Sequence, residues 1–89
     1  MMLRALAADA RPYGVTLALR DAAEQPWSSA TFTGVRLDLV LAIDGADPAA
    51  WLAALPEAEL PVPGRLVADL AVVTATATTA TLQVLLLET

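Results

Sequence analysis

The clearest pattern in the chain runs from Thr33 to Asp44, where aliphatic side chains recur on every second position. Val35, Leu37, Leu39, Leu41 and Ile43 share one side, while Arg36, Asp38, Val40 and Ala42 share the other. A period of two marks a half-buried strand. A second alternating run, Tyr13 to Arg20, sets Val15, Leu17 and Leu19 against Thr16, Ala18 and Arg20. Between the two, Asp21 to Thr31 is polar and carries Pro26 and a pair of serines, which reads as a loop.

The last third of the chain is patterned differently. From Leu70 to Leu87 the sequence LAVVTATATTATLQVLLL contains no charged residue. Its length approaches the roughly 20 apolar residues that cross a bilayer as a helix. The centre does not suit lipid, because Thr74, Thr76, Thr78, Thr79 and Thr81 alternate mostly with alanine and no Lys or Arg flanks the run. Thr and Val are stiff at χ1 and favour strands. The run therefore predicts two strands, Arg65 to Thr74 and Thr81 to Glu88, folded back around Ala75 to Ala80. In the first of these, Leu66, Ala68, Leu70 and Val72 alternate with Arg65, Val67, Asp69, Ala71 and Val73. The terminal strand, with its closing LQVLLLE, is expected at an edge of the sheet.

Asp44-Gly45 predicts a turn, and Asp47-Pro48 predicts a helix start. Asp at the N-cap accepts a bond from a free amide of the first turn, and Pro at the first helical position loses no needed donor. The helix runs from Ala49 to Leu55, with Trp51, Leu52 and Leu55 facing inward, until Pro56 ends it. The segment PEAELPVPG, residues 56–64, is extended. Residues 2–9 are rich in Ala and Leu and form either a short helix or a packing arm, interrupted at Arg11-Pro12. The order is (α)ββαββ in a single domain, residues 1–89. This is an α+β fold with a four-stranded, largely antiparallel sheet and one short helix packed on one face. With the first helix included, the order is that of a circularly permuted split βαβ plait.

Composition narrows the functional classes. The chain is 57% hydrophobic with only four aromatic residues, so Ala, Leu and Val supply most of the apolar surface. That surface exceeds what one short helix covers, which favours self-association or a partner. The net charge is −5 and all basic residues are arginine, a balance that argues against nucleic acid or an anionic membrane as partner. The joint absence of Lys and Asn points to a GC-rich, bacterial genome, and no convincing signal peptide opens the chain, so a cytoplasmic location is expected.

Chemistry is restricted further. Without His, Cys or Lys the chain lacks the common general bases, thiolate and amine nucleophiles, and imidazole ligands. Asp44 and Asp47 lack the Asp/Asn run and closing Glu of a calcium loop and read as a turn and a cap. Ser28-Ser29 has no base to activate it. No cofactor, metal site or catalytic residue is expected.

The resulting expectation is a non-enzymatic interaction or assembly domain that acts as a homo-oligomer, its partner another copy of itself or another protein. The candidate contact residues are Trp27, Phe32, Val73, Leu85 and Leu87. The alternative is a small-molecule binding domain with a pocket between helix and sheet, near Trp27, using Arg36 and Trp51.

Overall fold

The computed structural model describes residues 2–88. Helix α1 spans Met2–Ala10 and strands β1 and β2 span Val15–Ser28 and Thr33–Gly45. Helix α2 spans Pro48–Ala54, and β3 and β4 span Arg65–Ala75 and Thr79–Glu88. Short 3₁₀ turns follow both helices, at Arg11–Tyr13 and Leu55–Glu57. The four strands form one antiparallel sheet in the order β1-β2-β4-β3. This is an α+β fold, and the strand order is the one a circular permutation of the split βαβ plait requires.

Both helices lie on one face of the sheet. Residues 2–10 are helical, and Met2, Ala5, Leu6 and Ala10 are buried at the spacing of one helical stripe. Helix α2 begins as its sequence dictates, with the Asp47 carboxylate accepting the Ala50 N–H at 3.2 Å and Pro48 in the first turn. Trp51, Leu52 and Leu55 pack into the same core as Leu39, Leu41 and Ile43 of β2 and Leu82, Val84 and Leu86 of β4. The Trp51 indole N–H donates to the Asp9 carboxylate at 3.0 Å, which ties α2 to the end of α1. Leu60 and Val62, from the extended segment, complete the layer.

Three elements differ from their sequence-based expectation. First, Asp21 to Ser28 is not a loop. It continues β1 and pairs with β2 as far as Ser28 opposite Thr33, leaving only residues 29–32 to connect the strands. The stretch carries no apolar alternation because β1 is an edge strand and Asp21 to Gln25 are exposed. Edge strands are where Pro26, isolated charges and a bulge are tolerated, since they discourage further pairing.

Second, β4 is not an edge. Although last in sequence, it lies between β2 and β3, and the two edges of the sheet are β1 and β3. Third, bulges break the simple alternation. Arg20 is the extra residue in β1, and Ala68 and Val73 are the extra residues in β3. Each added residue reverses which parity faces the core. Val67, Leu70 and Val72 thus face the helices, and Leu66 is turned to the other side.

The uncharged run becomes the β3–β4 hairpin, and among the described residues no helix is long and apolar enough to cross a membrane. Its turn uses threonine where glycine is usual. Thr76 N–H donates to the Thr79 carbonyl at 2.8 Å, and Thr79 N–H donates back to Thr76 Oγ1 at 3.0 Å. The Thr78 N–H reaches the same hydroxyl at 3.3 Å. Thr76→Val keeps the side-chain shape but removes this acceptor. It is expected to cost about 1 kcal/mol in urea denaturation, with Thr76→Ser close to wild type. A valine variant as stable as the parent would show that the hydroxyl does not hold the turn.

Candidate interaction surface

Strand register places the non-core residues in rows across the face that the helices leave open. The first row is Trp27, Gly34, Leu87 and Leu66, and the next is Gln25, Arg36, Leu85 and Asp69. Ala23, Asp38, Gln83 and Ala71 follow, and then Asp21, Val40, Thr81 and Thr74. None of these sixteen residues belongs to the core cluster or packs against it. The face is neither a clean apolar patch nor a solvated polar one. Leucines gather at one end and around the centre, one acid and one base flank Leu85, and a neutral middle follows.

The candidate contact residues map onto this face or its rim. Leu85 is half-buried, and Leu87 is only 8% exposed although it lies outside the core cluster. Trp27 lies in the same row as Leu87 across Gly34, which has no side chain between them. Val73 sits in the second bulge of β3 and is 55% exposed. Phe32 lies in the β1–β2 connection, 51% exposed, where its N–H donates to Ser29 Oγ at 3.2 Å. Leu66 is the residue that alternation misassigned. It is 53% exposed on the open face, and only the bulge at Ala68 reveals it.

The polar residues are equally placed. Gln83 Nε2 donates to the Asp38 carboxylate at 3.1 Å across β4 and β2, so this acid is already engaged. Arg36 and Asp69 share a row but stand two strands, roughly 10 Å, apart. Asp47 caps α2, and among the described residues no group of three or more acidic, His or Cys side chains is placed to hold a metal ion.

The small-molecule pocket expected from sequence is not assembled by the residues named for it. Trp51 is fully buried in the core with its N–H bonded to Asp9, whereas Arg36 alternates with core-facing Val35 and Leu37 and therefore projects from the opposite face. Trp27 shares the open face with Arg36, not the helix side with Trp51. The helix side does carry a groove of about 140 Å³ lined by Met2, Val35, Leu37 and Leu86, with Glu24 and Arg65 also at its wall. A wider open groove of about 520 Å³ lies between α2 and the β3–β4 hairpin, lined by Asp47, Pro48, Leu52 and Thr76, and neither groove includes Trp27, Arg36 or Trp51. Glu24 was hidden from sequence reasoning because its strand reads as a loop.

No protein-family model matches the chain, and no curated protein or solved structure matches it, so the functional reading rests on this surface itself.

Proposed function

We propose that the protein is a small assembly domain that works without catalysis and associates with another copy of itself through the open face of its sheet. The observation that carries this reading is Leu66, 53% exposed, beside the partly exposed Leu85 on a sheet face whose residues do not pack against the core cluster. Antiparallel sheets commonly pack one face on the core and present a polar face to water. Here the open face holds Leu66 and Leu85 along with Trp27 and Val40, and Val73 and Phe32 add exposed apolar area at its margins. Exposed apolar side chains grouped among polar ones on one face favour a protein contact.

Leu66→Glu tests the reading. Leu66 is half exposed and contributes nothing to the core cluster, so the variant should keep the wild-type circular dichroism spectrum and melting temperature. Its association, followed by light scattering across a dilution series, is expected to weaken by about ten-fold or more, as for a charge placed in an apolar contact. A Leu66→Glu variant that associates as tightly as wild type would remove the open face as the contact.

A further inference from the structure

We infer that the two copies pack open face to open face about a two-fold axis that runs along β4. This deepens the self-association reading and rests on it. A two-fold contact is self-complementary, so each residue must face a suitable partner drawn from the same surface. An axis along β4 carries β2 of one copy over β3 of the other, because these strands flank β4 on either side. Along the second row, Arg36 then stands over the partner's Asp69 and Asp69 over the partner's Arg36, giving two ion pairs around a central Leu85–Leu85 contact. Along the first row, Leu66 stands over the partner's Gly34, which has no side chain. Knob meets gap and acid meets base in the same arrangement.

Other axes do worse. An axis perpendicular to the strands can pair Arg36 with Asp38 only by laying the leucine row over Asp21, Val40, Thr81 and Thr74. It also competes with Gln83 for a carboxylate that already has a partner. Twisted sheets pack at about 30° to one another, which displaces residues far from the crossing point. Arg36 and Asp69 each lie only about 5 Å from the axis, so the flexible arginine absorbs the shift. The overlap of three strands over about nine residues is on the order of 400 Å² per copy, about half of a standard interface. The dimer is therefore expected to dissociate in the micromolar range or above.

Charge reversal distinguishes this arrangement from generic self-association. Arg36→Glu takes the net charge from −5 to −7, and Asp69→Arg takes it from −5 to −3. If overall repulsion governed association, the first would weaken the dimer and the second would strengthen it. The proposed pairing predicts that each single variant weakens it by about ten-fold or more, and that the double variant recovers to within about three-fold of wild type. Sedimentation equilibrium of the four proteins reads these constants directly. If wild type dimerises but the singles are unaffected, or the double shows no recovery, this arrangement is wrong and self-association stands. If wild type is a monomer at every concentration, the reading beneath it fails as well.

Discussion

Trp51→Ala is expected to remove a large fraction of the stability of the fold. Trp51 is the largest fully buried side chain, with no exposed surface, in a helix of only seven residues. Its removal deletes the main contact between α2 and the sheet and leaves a cavity that two short helices cannot refill. Substitutions of this kind cost about 3–5 kcal/mol. A domain of this length has a total stability of roughly 4–13 kcal/mol, so the loss is a large fraction of it. For a chain this small each kcal/mol lowers Tm by about 4–8 °C, which puts the expected fall at about 12 °C or more. Trp51→Phe separates packing from hydrogen bonding. It keeps most of the ring but withdraws the donor from the Asp9 carboxylate, and should cost about 1–3 kcal/mol. Thermal and urea unfolding by circular dichroism measure both; a Trp51→Ala variant with an unchanged Tm would mean that α2 is not part of the cooperative core.

The second large effect is expected at Gly45→Ala. Gly45 closes β2 opposite Val15, with φ at 142°, a backbone region that L side chains rarely enter. An added Cβ would overlap the Gly14 carbonyl oxygen and approach the Val15 Cα to 2.8 Å. That carbonyl accepts the Ala46 N–H at 3.2 Å, so moving it aside breaks the bond where the chain leaves the sheet for α2. Strain and lost pairing together are expected to cost about 3 kcal/mol or more, since such conformations alone are worth roughly 1–3 kcal/mol. The expected readout is a fall in the urea midpoint with an unchanged slope. A midpoint within error of wild type would show that the β1 and β2 ends are free to separate.

The legible parts of this fold are those where one face meets the core and the other does not. Val35 to Ile43 alternates along the whole covered length of β2, and the strand is where its pattern puts it. Asp47-Pro48 declares the helix start because cap and ring act locally, and the hydrogen bond to Ala50 is the one the residues dictate. The threonine-rich run resolves into a hairpin for an equally local reason, the preference of Thr and Val for extended backbone.

What escaped the pattern is non-local. The second half of β1 is held by its ladder to β2 rather than by buried side chains, so nothing apolar marks it. Bulges at Arg20, Ala68 and Val73 have no residue signature here, yet they decide that Trp27 and Leu66 join the open face. The central position of β4 follows from chain crossing, which strand composition does not encode, and it changes the meaning of Leu85 and Leu87. They lie in the middle of a sheet face, not along an edge open to strand pairing. Arg36 and Trp51, close in the expected pocket, end on opposite sides of the sheet because Arg36 alternates with the core-facing Val35 and Leu37.

The most direct test is the mass of the intact chain in solution. Sedimentation equilibrium across about 1 µM to 1 mM protein spans the affinity that an interface of this size supports. The expected mass rises with concentration from the 9.2 kDa of one chain toward twice that value, and no further, because a two-fold contact closes on itself. A mass that stays at 9.2 kDa throughout the range would contradict it.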